Sequence, residues 1–441
     1  MLNSSTFSFR KNRTIAYFLV ILVVWLVYIC GASWIADTLA ARHGEKIISA
    51  AKYRILDPAH FVERRILDFA YLTTVLVGLV AVLDWLLVGR FQKWGAWRFV
   101  PMTIVSFVVS NVGVVFASKA ALLWVMFYAA SPNMRLANHE MSQKILWEST
   151  ETRTSGVLVG SSQMNAQVSV VHLNQLLGGE ALFADLSYYG GFPHTVLMVQ
   201  DRLEQKPDLA VWYMSSLCIN DHLEFGASAQ SLMTGRVEDD FDALDGTKAF
   251  GWLRMFYGRV GRWLPLFRIR REAEGLLFAI TGTPEVAHPN RTEDPAEVKA
   301  KTFDRFIEVM TKGDGTEAQF EHARQFRLEC LSLVVDRFHE MGTKLVIIIG
   351  HVHPDVEELY PQMREELLQH VLKAAEGKPT IHVVDEELPA CPAEQFRDLA
   401  HLGEDYRNAY TEAVFEHLKK TGMVGQATDA SESSIEQSVG E

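Results

Sequence analysis

Four short stretches of this chain carry residue types that together could activate a hydroxyl and stabilise the charge formed when it attacks a carbonyl. The first is Val157-Leu158-Val159-Gly160-Ser161-Ser162-Gln163, an apolar, β-branched run that closes in a Gly-Ser-Ser turn before a helical pattern from Met164 to Leu177. Ser162 therefore falls on a strand-to-helix turn, at the sheet edge where open α/β folds place their chemistry. The last is Asp398-Leu399-Ala400-His401-Leu402-Gly403. A carboxylate three residues before a histidine in a turning segment can reach one ring nitrogen, leaving the other to take a proton from a serine.

Two stretches between them could receive the developing oxyanion. Ser187-Tyr188-Tyr189-Gly190-Gly191-Phe192-Pro193 offers Gly190 or Gly191, where a missing side chain exposes a backbone amide. Leu217-Cys218-Ile219-Asn220-Asp221 offers the carboxamide of Asn220. With the backbone amide of Ser162 they make a hole of three donors, the kind of feature that contributes most to acyl-transfer rates. Serine-rich turns more often cap helices, and glycine pairs are more often plain turns. Those readings leave unexplained why all four pieces occur in order, each after its own expected strand.

The elements that must position these residues follow from a change of period near residue 150. Short apolar runs at 156–159, 181–185, 209–214, 344–349 and 381–384 alternate with helical patterns at about 163–177, 194–205, 317–341, 361–376 and 404–420. That alternation predicts an α/β fold, a three-layer flavodoxin-like sandwich around a five-stranded parallel sheet, over residues 133–424. An insertion at 222–316 has no strong strand. It contains the run 250–263, where Trp252, Phe256, Tyr257 and Trp263 alternate with Arg254, Arg259 and Arg262, followed by Arg268, Arg270 and Arg271. Such a run suits a headgroup interface, a lid or a membrane partner, and equally a helix packing its aromatic face on the sheet domain. Residues 425–441 are acidic and Ser-rich, the composition of a disordered tail.

Charge divides the chain. Up to Ser131 there are 13 Lys+Arg against 6 Asp+Glu, and since the whole chain carries −12, the remainder carries −19. So acidic a remainder excludes a nucleic-acid partner, whose phosphates it would repel. The basic front holds apolar runs at 15–35, 67–89 and 99–130, which predict an α-helical transmembrane region of about three helices within 1–132. Arg10, Lys11 and Arg13 precede the first run, and no small-residue cleavage site follows, so an uncleaved anchor is expected. The mixed segment 36–65 is expected along a membrane surface. At 1.5 Å per residue the third run would be roughly 48 Å long against a hydrocarbon core of roughly 30 Å, and it is read as one long projecting helix. Basic residues before the first run and at 90–98 place the sheet domain on the periplasmic or extracellular side of a bacterial cytoplasmic membrane, as part of a multi-pass protein.

Other polar residues have weaker patterns. His351 and His353, after the fourth strand, are expected to line the mouth of the site for substrate; as a His-x-His metal pair they lack a third ligand at a diagnostic spacing. His194 is expected to face the cleft, and Asp185 and Asp385 are reserve carboxylates for Asp398. Cys30, Cys218, Cys330 and Cys391 form no metal pattern, and no cofactor motif is read.

Over about residues 150–424 these blocks resemble the SGNH hydrolase superfamily. The resemblance implies that Ser162 is the nucleophile, Gly190 or Gly191 and Asn220 the oxyanion donors, and Asp398 with His401 the terminal catalytic block. Two positions depart from the family pattern: its Gly-Asp-Ser is here Gly160-Ser161-Ser162, and the glycine of its Gly-x-Asn-Asp block is here Cys218. The Gly-Ser-Ser form behind amino-terminal helices is similar to the membrane-anchored branch containing the D-alanine transfer protein of teichoic acids and alginate-type O-acetyltransfer proteins. That likeness implies a serine O-acyltransferase that receives an acyl group, acetyl by preference, from a membrane-bound O-acyltransferase and passes it to an extracytoplasmic polysaccharide. Two rivals follow from the same residues: a carbohydrate or lipid esterase of the same fold, and a non-catalytic partner of a membrane-bound O-acyltransferase.

Overall fold

Val157, Leu158 and Val159 are buried on both sides, as near-continuous apolar runs are when a strand sits inside a parallel sheet. In the computed structural model they form the middle of β1, Thr154–Gly160, followed by β2, Ala181–Ser187, β3, Leu209–Met214, β4, Lys344–Ile349, and β5, Ile381–Val384. The structure describes residues 15–27, 30–31, 34, 58–86, 99–130, 135–149, 154–188, 192–220, 231–270, 272–273, 317–359, 361–385 and 387–424. They fall into two compact units, Met1–Met141 with Arg259–Glu285, and Ser142–Gly258 with Val286–Glu441.

In the second unit all five strands pair in parallel, in the order β2-β1-β3-β4-β5. Gly160 pairs with Ser187 on one side and Tyr213 on the other, so β1, β2 and β3 end close to level. From β1 the chain runs outward to β2 and then back past β1 to β3, and such a reversal opens a crevice at the carboxyl edge. Helices cover both faces. Ser162–Gln167, Val170–Leu176 and Glu404–Lys420 share a core with Leu158, Phe183, Val211, Tyr213, Val346 and Ile348. Pro193–Asp201, Glu317–Glu340 and Pro361–Ala375 pack on the other side.

The pattern at 163–177 predicts one helix, and the structure has two. They part at Val168 and Ser169, where Ser169 accepts from the His172 amide through its hydroxyl and donates its own amide to Thr411 Oγ1 at 2.9 Å. A cap from a distant helix thus overrides local propensity. The described part of the insertion is helical, at Gly235–Ala243, Gly246–Phe250, Trp252–Trp263 and Pro265–Arg268. Its remainder at 222–230, 271 and 274–316, and the acidic tail at 425–441, lie outside the described residues.

In the first unit the helices Phe99–Ala117 and Ala121–Ala130 are almost wholly apolar, and Pro58–Asp84 is largely apolar only from Ile66 onward, after Glu63, Arg64 and Arg65. The run 99–130 is therefore not one long helix. It breaks at Ser118–Ala120, where the Leu122 amide donates to Asp68 Oδ2 at 3.2 Å and the Trp124 indole donates to the Ser118 carbonyl at 2.7 Å. A carboxylate on a neighbouring helix caps the new start, which the run's own composition does not reveal. Among the described residues one helix is long and apolar enough to cross a membrane, the 19 residues Ile66–Asp84; Ile15–Val27 and Ile104–Ala117 are apolar but shorter. The three spans expected from sequence reduce to that one here, and most of 36–65 lies outside the described residues.

Candidate active site

Gly160 ends β1 with φ +135°, a backbone conformation that L side chains rarely adopt, and a Cβ there would lie 3.1 Å from both Trp212 Cδ1 and the Tyr213 carbonyl oxygen. The turn it permits delivers two serines to the start of the helix Ser162–Gln167. The capping role falls to Ser161, whose Oγ accepts from the Gln163 amide at 3.2 Å. Ser162, the first helical residue, is thereby released for other use.

Its hydroxyl meets His401, 239 positions later: Ser162 Oγ lies 2.7 Å from His401 Nε2. On the far side of the ring, Nδ1 lies 2.8 and 2.9 Å from the two carboxylate oxygens of Asp398. An ionised carboxylate only accepts, so Nδ1 carries the proton, and Nε2 is left to accept from the serine. Asp398 Oδ1 also accepts from the amides of Ala400 and His401, each at 2.9 Å. Burial alone would push this carboxyl up, but the hydrogen bond and charge of His401 and the two amides outweigh it and hold the group below its ordinary value. The base thus faces a carboxylate that stays ionised and fixes its tautomer, the arrangement a nucleophilic serine needs.

The loop that carries His401 is fixed from several directions. Gln167 Nε2 donates to the Ala400 carbonyl at 2.9 Å and Gln163 Nε2 to the same oxygen at 3.4 Å. The His353 amide donates to the Leu399 carbonyl at 2.9 Å, the Arg397 amide to the His401 carbonyl at 2.9 Å, and Phe396 bridges to Leu402. Leu399 itself packs on Val352 and Val356. Gln163 Oε1 accepts from Ser215 Oγ at 2.9 Å and from the Cys218 thiol at 3.4 Å. Cys218, at the position of the family glycine, is therefore a buried neighbour of the nucleophile's helix, and burial raises its thiol above the usual range.

Ser162, His401 and Asp398 come together as the sequence predicts. Asn220 closes the helix Leu217–Asn220 directly after β3, while its side chain, and Gly190 and Gly191 altogether, lie outside the described residues. The histidines fare differently. His194 is fully buried among the rings of Phe192, Phe241, Phe250 and Phe326, so it belongs to the core and not to a cleft. His353 is also buried, its ring against Phe396, and serves the site through its backbone instead of lining a mouth. Only His351 stays partly exposed, with Nδ1 3.0 Å from Glu357 Oε1. Neither reserve carboxylate faces His401: Asp185 accepts from Asn165 Nδ2 at 2.6 Å and from the Ser187 amide at 2.9 Å, and Asp385 pairs with Arg364.

Three supporting residues escape a reading of the sequence. Gln163 and Gln167 are a glutamine pair on one helical face, a signal that names no partner. Arg327 is 1% exposed, donates through Nη1 to the Ile219 carbonyl at 2.9 Å and lies 4.5 Å over the Phe192 ring. It links the segment before Asn220 to the segment after Gly191, from a helix whose sequence carries no motif. No protein-family model matches the chain, and no curated protein matches it.

Proposed function

We propose that the chain is a membrane-anchored serine O-acyltransferase of SGNH hydrolase type that modifies an extracytoplasmic polysaccharide through an acyl-Ser162 intermediate. The observation that carries this reading is the unbroken hydrogen-bonded line from Ser162 Oγ through the His401 ring to the Asp398 carboxylate. Supporting it is the flavodoxin-like strand order β2-β1-β3-β4-β5, with the four motif blocks following β1, β2, β3 and β5. In the first half-reaction Ser162 Oγ attacks the acyl carbonyl while its proton passes to His401 Nε2. Collapse of the tetrahedral adduct breaks the bond to the leaving group, which takes that proton, and leaves an ester on Ser162. In the second half-reaction a sugar hydroxyl gives its proton to His401 and attacks the ester, and the serine recovers the proton as the acylated sugar departs.

Apolar helices in the same chain favour transfer over free hydrolysis, because tethering raises the effective concentration of an acyl donor delivered at the bilayer. The donor would be a membrane-bound O-acyltransferase, the anchor multi-pass, and the sheet unit on the periplasmic or extracellular side. The test uses the full chain in detergent with a chromogenic acetyl ester, with and without an oligosaccharide. The expected result is acetylated Ser162 by peptide mass spectrometry and acetylated sugar when acceptor is present. Hydrolysis alone, persisting when the acyltransferase is supplied, would leave an esterase; no adduct and no turnover would leave the non-catalytic partner. A reporter fusion after residue 140 that is active only in the cytoplasm would exclude an envelope polymer.

A further inference from the structure

The helix Trp252–Trp263 is turned inside out by the standards of a soluble domain. Its inward stripe holds Met255, Gly258 and Gly261, so small that a Cβ on Gly258 would come within 3.0 Å of Met233 Cε. Its outward side carries the bulk: Trp252 is 68% exposed, Phe256 49% and Trp263 71%, with Leu253 and Tyr257 also exposed. At 3.6 residues per turn Trp252, Phe256 and Trp263 fall on one narrow arc with the half-buried Arg259 at its edge, Leu253 and Tyr257 widen it, Arg262 stands about 100° from its centre and Arg254 nearly opposite. Arg262 also lies 4.7 Å over the Trp263 ring. A water-facing helix gains nothing from that distribution, whereas one lying in a bilayer surface buries its indoles at the acyl boundary and sets a flanking guanidinium among phosphates. Immediately after it, Leu266 donates its amide to Asn111 Oδ1 at 3.0 Å, on the apolar helix Phe99–Ala117 whose own outer side shows Ile104, Val108 and Val112. The segment that ends this helix is thus seated against one whose surface also suits hydrocarbon.

We propose that the helix Trp252–Trp263 lies in the headgroup layer of an anionic phospholipid bilayer, with Trp252, Phe256 and Trp263 toward the acyl chains, Arg262 on the phosphates and Arg254 toward the water above them. The proposal rests on the helix's own pattern and not on the chemistry of Ser162, so the two stand or fall separately.

The test takes the full chain with C30S and C391S, the two cysteines that are not buried, and adds F256C, W263C or R254C as a single spin-label site. Each variant is checked by its melting temperature and reconstituted in nanodiscs of phosphatidylcholine with or without phosphatidylglycerol. Labels at 256 and 263 are expected to relax several-fold more with dissolved oxygen than with a water-soluble nickel chelate, the label at 254 to do the reverse, and the oxygen preference to grow with phosphatidylglycerol. Nickel access at 256 and 263 equal to that at 254 would put the face in water and overturn the proposal. Exclusion of both reagents would mean that protein covers the face, which overturns it equally, and indifference to lipid charge would overturn the anionic specificity.

Discussion

Both units bury large apolar side chains, and they differ in how much of the same kind is left on the outside of their helices. In the sheet unit Phe183, Val211, Ile347 and Val414 are all within a percent or so of complete burial, and charged groups line the outside. In the helical unit Ile104, Phe107, Val108, Val112, Val115 and Phe116 are exposed along one helix, while Ile66, Trp124, Val125 and Phe127 lie inside together with Ala70, Ala117 and Ala120. Two of their acids differ as well. Asp398 receives enough hydrogen bonds to stay ionised below its ordinary range, whereas burial pushes Glu272 up to about 7 against the pull of Arg270 and Arg268. The strands of one unit lie in a dry core beside a site that holds a charge; the other unit, besides its own core, presents a row of large apolar side chains along the helix Phe99–Ala117.

The sharpest way to separate the units is Ser162→Ala, expected to abolish acyl transfer, a loss of at least about 10^4-fold, with the melting of both units unchanged. Residual turnover near wild type would end the covalent reading. Asp398→Asn should cost about 10^3- to 10^4-fold in kcat while Ser162 still meets His401, because a neutral carboxamide can hold the wrong tautomer. Measuring kcat and KM separately would show KM nearly constant.

Stability should divide the same way. Phe183→Ala, in the sheet core, should cost about 3–5 kcal/mol by thermal or urea unfolding. Glu272 tests the acid side of the comparison. Its raised value makes its contribution fully present below an unfolded value near 4.5 and lost as pH climbs through about 7. Glu272→Gln should therefore abolish a loss of roughly 3 kcal/mol between about pH 4.5 and pH 8, seen as a flatter melting-temperature profile. The smallest effect belongs to Phe107→Ala, 44% exposed in the wild type. In a bilayer it should change stability by under about 0.5 kcal/mol, since lipid tails replace the lost contacts. A cost of several kcal/mol would show that protein, not lipid, covers that side.

How much of this was legible in the sequence depends on how local the cause was. All five strands could be placed within a residue or two, because four are buried apolar runs closed by turns and polar ends and the half-buried edge strand β5 keeps enough β-branched residues to stand out. Ser162, Asp398 and His401 were legible because each sits in a short block of fixed chemistry. The two helix breaks were not, since each is made by a residue far away: Thr411 receives the amide of Ser169, and Asp68 receives that of Leu122. His194 was misjudged for a similar reason. Its neighbours in sequence are a turn and a helix start, while its four aromatic neighbours come partly from the insertion and from the helix Glu317–Glu340. Gln163 and Gln167 acquire meaning only once the Ala400 carbonyl has arrived between them.

That shared carbonyl sets how the reacting pair behaves when the fold breathes. Because two side chains of the nucleophile's own helix grip the peptide just before His401, any drift of the loop drags the helix start with it. Together with the ties from His353 and Arg397, that grip makes the gap between oxygen and imidazole depend on contacts a few ångströms away more than on motions across the sheet. Proton exchange between them should consequently survive heating almost up to the point at which the whole unit melts.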